Sequence, residues 1–112
     1  MPTDAAVLDR TFHALADSNR RAIVARLSRG PASVSELAEP LTISLPAVSQ
    51  HLDVLRDSGI VRSEKKGRVR TCRLESAPMR TAEQWVAHNR RTWEGHLDRL
   101  GEVLDQTYGG TE

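Results

Sequence analysis

Basic residues are concentrated in one short stretch of this chain, between Arg62 and Arg73. The stretch holds a single acidic residue, Glu64, and six basic ones: Arg62, Lys65, Lys66, Arg68, Arg70 and Arg73. Lysine and arginine bind phosphate oxygens through charge and hydrogen bonds, so the pattern is typical of a surface that contacts a nucleic-acid backbone. Taken alone, however, a run of charges is usually a solvated protein face.

A second group of residues with binding chemistry lies upstream, at the start of a predicted helix. The residues expected to enter a DNA major groove are Ser44, Leu45, Pro46, Ser49, Gln50 and His51. Gln50 is the best base reader, because a glutamine amide can pair with N6 and N7 of adenine. Ser49 can reach a base edge or a phosphate. Asp53 is the odd member, since it either accepts from cytosine N4 or weakens phosphate binding by repulsion.

These side chains are positioned by a predicted pair of short helices. The S-x-x-E spacing of Ser33 and Glu36 predicts a capping box at the start of the first helix, which Pro40 ends. Ser44 is expected to cap the second helix, and Gly59 to terminate it in a left-handed conformation. The second helix should bury a face formed by Val48, Leu52 and Leu55. Two short helices with a tight turn predict a helix-turn-helix, although an ordinary surface helix pair would share the pattern.

The basic stretch follows directly on this helix pair. Short runs of strand-forming residues on either side of Lys66-Gly67 predict a β-hairpin. A basic hairpin in this position has the character of a wing that grips phosphates. The expected phosphate contacts are Arg62, Lys65, Lys66, Arg68 and Arg70. Together the two elements favour DNA binding more strongly than either does alone.

Two helices are predicted before this motif, one from near Asp4 and one that ends near Ser28. Their apolar sides are formed by Leu8, Phe12 and Leu15 in the first and by Ile23 and Leu27 in the second. The set of elements predicts a mainly α fold with a small β-hairpin, a winged helix-turn-helix of four helices, two strands and a fifth helix. We expect one domain over residues 1–112, with the helix-turn-helix at about 33–58, the wing at about 60–74 and a dimerisation helix at about 78–106.

The fifth helix is long, and its apolar residues fall in one stripe. They are Met79, Ala82, Trp85, Val86, Trp93, Leu97, Leu100, Val103 and Leu104. Such a helix extends past a domain of this size, so part of the stripe needs a second partner. A homodimer is the simplest partner and suits a palindromic site in double-stranded DNA, while a helix folded onto its own chain is the alternative. The expected dimer interface comprises Leu8, Phe12, Trp85, Trp93, His96, Leu97, Leu100 and Leu104.

Several classes of protein are disfavoured. No stretch approaches the length of a membrane span, and a single cysteine cannot form an internal disulfide, which fits the cytoplasm. No Gly-rich phosphate loop, H-E-x-x-H or G-x-S-x-G motif is present, so no enzyme and no cofactor are expected.

Three blocks of residues carry a resemblance to a known family: FHALADSNRRAIVARL, SVSELAEPLTISLPAVSQHLDVLRDSGIVRSEKKGRVRTCRL and EQWVAHNRRTWEGHLDRLGEVL. Over nearly its whole length the chain resembles winged helix-turn-helix repressors of the ArsR family. The tryptophan-bearing last helix is similar to that of the metal-independent branch that includes the SdpR-type autorepressors. The resemblance implies a homodimer built on the first and last helices, which binds an inverted-repeat operator and excludes polymerase.

The sensing chemistry of that family is where this sequence departs. Metal-responsive members carry Cys-x-Cys on the first helix of the motif, and here residues 34–39 contain no cysteine. Cys72 is in phase with Leu74, which predicts an inward-facing core residue, with redox sensing as the alternative. His88 and His96 are roughly 12 Å apart along the helix axis, too far for one helix to chelate a metal with both. A site shared across a dimer stays open, but no metal is expected and the effector is unknown.

Two function classes therefore stay open. The first is a sequence-specific, autoregulatory transcriptional repressor, or a regulator that responds to an unrecognised ligand. The second is a winged-helix module for protein–protein interaction, in which the charge of the wing is incidental. Salt-sensitive, sequence-selective retention of promoter DNA would discriminate between them.

Overall fold

The structure is a computed structural model that describes residues 3–109, so the ends of the predicted domain lie outside the described residues. The elements, in chain order, are α1 (Asp4–Leu15), α2 (Ser18–Leu27), β1 (Ala32–Ser33), α3 (Val34–Ala38), α4 (Leu45–Asp57), β2 (Val61–Lys66), β3 (Val69–Leu74) and α5 (Ser76–Leu104). A π-helical turn over Asp105–Gly109 follows α5, where the regular helix was predicted to continue to Gln106. The predicted winged helix-turn-helix fold is confirmed.

Side-chain caps set the starts of the short helices. The N–H of Glu36 donates to Ser33 Oγ at 3.1 Å, and the N–H of Ser33 donates to Glu36 Oε1 at 3.1 Å. This is the predicted capping box. Ser44 Oγ accepts from the N–H of Ala47 at 3.2 Å, which confirms it as the cap of α4. Gly59 follows α4 with a φ of 82°, the left-handed conformation that ends a helix.

The wing is a hairpin within a three-stranded antiparallel sheet, in the order β1-β3-β2. Lys66 pairs with Val69, and the loop between them holds Gly67 at a φ of 63°, as predicted for a tight hairpin turn. A two-stranded hairpin was predicted, but the sheet has a third strand, β1. In this strand Ala32 pairs with Cys72 of β3. A strand of two residues has no periodicity of its own and exists only through its distant partner.

One hydrophobic core lies between the helices and the sheet. Its buried members are Ala14, Ile23, Val24, Leu27, Ala32, Leu37, Val48, Leu52, Leu55, Ile60, Val61 and Cys72. The predicted core faces of α2 and α4 are therefore confirmed. On α1 the buried residues are Thr11 and Ala14, whereas Phe12 remains 40% exposed. Leu15 also packs against the core and is partly buried, so of the predicted apolar side of α1 it is Phe12 that points outward.

The chain separates into two units, with the division after Ala82. The first unit holds the core and the start of α5, where Met79 packs against the core and Ala82 is buried. From Glu83 to residue 107, none of the described side chains is buried. No helix among the described residues has the length and apolar character needed to cross a membrane.

Candidate nucleic-acid interface

The first half of α4 presents a continuous exposed surface. Five of the six residues predicted to enter the groove lie on it: Ser44, Leu45, Pro46, Ser49 and Gln50. The opposite side of the helix is anchored by Val48 and Leu55, which are fully buried. The side chains that hold α4 in the core are therefore different from those on its exposed face. The exposed side chains can bind a partner without disturbing the core.

His51 does not lie with the other five. Its side chain is 19% exposed, and Nδ1 lies 3.1 Å from Arg20 Nη1 and 3.9 Å from Asp17 Oδ1. The ring therefore faces the start of α2, where its partly buried contact with Arg20 holds it in place. No local signal in the sequence identified Arg20 as its partner, because the two residues lie on different helices.

Arg20 links three helices through one guanidinium group. Its Nε donates to the carbonyl of Ala14 at 2.7 Å, and its Nη2 donates to the carbonyl of His13 at 3.2 Å. Both carbonyls lie in the last turn of α1, where backbone oxygens lack the usual partner four residues on, and that of His13 also accepts from the N–H of Ala16 at 3.2 Å. The backbone N–H of Arg20 also donates to Asp17, the cap of α2, and lowers the pKa of that carboxyl. Arg20 is thus a structural residue that joins α1, α2 and α4.

The sheet divides the predicted wing residues between two faces. Strand alternation places Lys65 and Arg70 on the face that also carries Ser63 and Cys72, next to the core. Arg62 and Lys66 lie on the opposite face, and Arg68 lies in the hairpin loop. Arg62 Nε is 3.4 Å from Glu75 Oε1, and Arg73 Nε is 3.7 Å from the same oxygen. The charge of the wing is therefore not one uniform patch.

At the base of the wing, α4 and β3 meet through Ser63. Its Oγ accepts from Arg56 Nη1 at 3.3 Å and from Arg70 Nη1 at 3.0 Å. Arg56 also pairs through Nη2 with Asp53, one turn earlier on α4. Arg56 is not among the residues predicted from the sequence, because the groups that meet at Ser63 come from three separate elements, α4, β2 and β3. The carboxylate of Asp53 is engaged by this arginine, which gives the odd residue of the helix a defined partner.

A cavity of about 150 Å³ lies beside this junction and is lined by Val34, Ser49, Leu52, Arg56, Arg70 and Cys72. Cys72 is 1% exposed and faces inward, as predicted. Burial raises the pKa of its thiol, with the charges of Arg56 and Arg70 acting in the opposite direction. Among the residues that the structure describes, no three His, Cys, Asp or Glu side chains form a group that could hold a metal ion.

The predicted dimer residues of α5 lie on an exposed stripe. The exposed fractions range from 43% to 59% for Trp85, Trp93, Leu97, Leu100 and Leu104. The rings of Trp93 and His96 are stacked, with centroids 5.8 Å apart and an interplanar angle of 26°. On α1, Phe12 is exposed and Leu8 is half-buried.

Comparisons with known proteins identify the family. A model described as a helix-turn-helix domain matches residues 15–64. The HTH-type transcriptional regulator Rv2034 of Mycobacterium tuberculosis is 51% identical over 97 residues, which cover 87% of this chain and 88% of that protein. The crystal structure of an ArsR family transcriptional regulator is 48% identical, covers 84% of this chain and 97% of its own, and superposes with a TM-score of 0.77. The chain belongs to the ArsR family of transcriptional regulators.

This ArsR-family chain is also similar to the transcriptional repressor SdpR of Bacillus subtilis. The two are 27% identical over 79 residues, which cover 70% of this chain and 88% of SdpR. The relatives are regulators with a helix-turn-helix, not enzymes, which confirms that this ArsR-family protein is a DNA-binding regulator without an enzymatic function. The predicted membership of the ArsR family is confirmed.

Proposed function

We propose that this ArsR-family protein is a sequence-specific transcriptional repressor that binds an inverted-repeat operator as a homodimer. The observation that supports this best is the exposed first half of α4 beside a basic wing. The helix carries groups that can read base edges, and the wing carries groups that bind phosphates. A regulator needs both, because base contacts specify a site and phosphate contacts supply affinity.

On this proposal α4 is the recognition helix, and its N-terminal half enters the major groove. Gln50 is exposed and would pair with an adenine, while Ser49 reaches a base edge or a phosphate. Leu45 is 56% exposed, so its side chain is available for contact with a thymine methyl group. His51 is turned toward Arg20 and holds the helix in place rather than reading a base.

Phosphate contacts come from the wing, with Lys65 and Arg70 on the face nearest α4 and Arg68 at the hairpin loop. Arg62 is paired with Glu75 and, with Lys66, lies on the other face of the wing. We expect those two residues to contribute less to binding, because they point away from the recognition helix.

The homodimer is supported by the stripe on α5. Trp93, Leu97 and Leu100 lie on one side of the helix, and each is exposed by more than two fifths of its surface. A continuous apolar stripe of this kind marks an interaction surface, and a two-fold partner covers it with an identical stripe. Two-fold symmetry would place two recognition helices on two half-sites of a palindrome.

Repression, autoregulation and independence from metals form the finer part of the proposal. The α3 segment has no cysteine, and the single Cys72 is buried in the core. The similarity to a protein named as a repressor, SdpR, supports repression. Such a protein would act in the cytoplasm, where the DNA is, and its effector is unknown.

The deciding experiment is fluorescence anisotropy with labelled DNA from upstream of the protein's own gene and with a shuffled sequence of equal length. We expect tighter binding to the promoter at every salt concentration, and a steep loss of affinity as salt rises. Equal affinity for the two DNAs would remove sequence-specific repression. Absence of salt-sensitive binding to either would favour a module for protein–protein interaction. If the promoter DNA is not preferred, selection from random-sequence DNA shows whether the protein prefers another operator or binds without sequence specificity.

A further inference from the structure

The Ser63 junction, formed by Arg56, Ser63 and Arg70, brings two positive charges to one neutral oxygen. Both guanidinium groups donate to Ser63 Oγ, at 3.3 and 3.0 Å. A hydroxyl oxygen is a weak acceptor for two charged donors, and Asp53 neutralises only one of them. The junction therefore carries a net positive charge and spare donors, which is the character of a site for an anion.

The location of the junction indicates which anion. The adjoining cavity is lined by Ser49 from the exposed flank of α4 and by Arg70 from the wing. If α4 enters the major groove and the wing lies against the neighbouring backbone, the sugar–phosphate chain between them must pass this cavity. The same flank of α4 carries Ser49 and, two turns later, Arg56.

We propose that the Ser63 junction binds one phosphate of the operator backbone, with Arg56 as a DNA contact in addition to the wing residues. The two non-bridging oxygens of a phosphodiester can accept from both guanidinium groups, and this is the geometry for which arginine is suited. In the free protein Asp53 holds Arg56, and on binding the phosphate takes its place. The inference rests on the proposed function, since it requires that α4 and the wing face DNA.

The alternative role for the same contacts is a brace. Arg56 and Arg70 would then hold the wing against α4 through Ser63, in the free and bound protein alike. The two roles differ in what the oxygen of Ser63 does. A brace depends on the oxygen of Ser63, because that oxygen accepts both hydrogen bonds. A bound phosphate brings its own acceptor oxygens, so a phosphate site tolerates the loss of the Ser63 hydroxyl.

The test compares Arg56→Gln with Arg73→Gln by anisotropy over a range of salt concentrations. Arg73 is the matched control, because it lies on the opposite face of the wing from Arg70 and carries the same charge. Arg56→Gln should weaken promoter and shuffled DNA alike and flatten the slope of log K against log salt by about two for a dimer. Arg73→Gln should change the slope by less than half as much. A wild-type slope in Arg56→Gln overturns the proposal.

Asp53→Asn provides a test with the opposite sign. Freeing Arg56 should tighten DNA binding several-fold, and the gain should disappear when Arg56→Gln is added. Asp57→Asn is the control for charge alone, because Asp57 is an exposed acid on the same helix. An equal gain from both variants, retained in the Arg56→Gln background, would show general electrostatics and overturn the proposal. If thermal melting shows that Arg56→Gln folds poorly, the comparison of Asp53→Asn with Asp57→Asn in the otherwise wild-type protein remains informative, and equal gains there would overturn the proposal.

Ser63→Ala distinguishes the phosphate site from the brace. If the junction binds phosphate, the slope of log K against log salt should be nearly unchanged in this variant. If the junction is a brace, Ser63→Ala should weaken DNA binding as much as Arg56→Gln does. Free phosphate offers the same oxygens as DNA, so inorganic phosphate is compared with chloride at equal ionic strength. Phosphate should displace DNA from the wild type more than chloride does, and this excess should disappear in Arg56→Gln, because phosphate competes for the same guanidinium groups. Excess displacement that is already complete at micromolar phosphate would assign the junction to a free oxyanion instead. If wild type binds no DNA, the proposed function fails as well; a normal wild type with unaffected variants rejects only this site.

Discussion

Arg20 Nη1 and His51 Nδ1 lie 3.1 Å apart and join the start of α2 to the recognition helix. An arginine guanidinium has only donors, so Nδ1 is the acceptor and the ring proton is assigned to Nε2. The same guanidinium binds the carbonyls of His13 and Ala14. The side chain of Arg20 therefore sets the position of α4 relative to α1 and α2. Its contact on α4, His51, is next to Gln50, the residue that is expected to read DNA.

The Arg20–His51 contact predicts that His51 positions the helix without touching phosphate. His51→Ala leaves a half-buried donor unsatisfied, which costs about 1–3 kcal/mol. Thermal stability and operator affinity should both fall, while the salt slope stays at the wild-type value. His51→Asn should recover much of the loss, because the amide oxygen can accept from Arg20. A flattened salt slope in His51→Ala would instead restore the expectation that His51 contacts DNA.

Gln50 is predicted to carry sequence selectivity. It is exposed on α4, so Gln50→Ala should leave the melting temperature unchanged. A bidentate base contact discriminates by about 1–3 kcal/mol, whereas phosphate contacts ignore sequence. Operator binding should weaken while binding to shuffled DNA is retained, with the loss concentrated at one A·T pair in each half-site. Equal weakening of both DNAs would make Gln50 a backbone contact.

The stripe on α5 predicts a dimer in solution. Introducing aspartate at Leu97 and Leu100 places charge within the apolar surface, so sedimentation should show monomer or aggregate and operator binding should be lost. Arg99→Asp is the matched control, because residue 99 lies on the opposite side of the helix from Leu97. The control should remain dimeric. Wild-type protein that sediments as a monomer at micromolar concentration contradicts the proposal.

The hairpin loop predicts a phosphate contact from Arg68. Arg68→Ala should weaken operator and shuffled DNA equally and flatten the salt slope by about one for each bound wing. Arg62→Ala is the comparison, since Arg62 is paired with Glu75 on the far face and should have a smaller effect. Unchanged slopes for Arg68→Ala would place the hairpin away from DNA.

Cys72 is predicted to resist oxidation and thiol reagents in the native protein. Burial raises the pKa of the thiol, so the reactive thiolate is scarce at neutral pH. A thiol-specific reagent should react slowly with native protein and quickly after denaturation, and neither oxidant nor zinc should release DNA. Because the pKa is higher in the folded state, the unfolding free energy should decline above about pH 8.5, and Cys72→Ala should remove that decline. Rapid native labelling, or release of DNA by zinc, would point to sensing.

Local signals in the sequence determined most of the element boundaries. Ser33 and Glu36 form the predicted capping box, Ser44 caps the recognition helix, and Gly59 and Gly67 adopt the expected left-handed conformations. Each of these depends on residues within about four positions of one another, so the chain carries the information locally. The alternation of the wing and the periodicity of α4 likewise follow from backbone geometry.

Tertiary structure decided which distant groups meet. Ala32 became a strand only because Cys72 pairs with it, and the Arg20–His51 contact joins residues 31 positions apart. Arg56 entered the candidate site through Ser63 and Arg70, and Phe12 was left exposed because Thr11 and Ala14 face the core. A side chain's partner depends on how helices and sheet pack against each other. Residue type and local spacing do not contain that arrangement, because it results from the packing of the whole core.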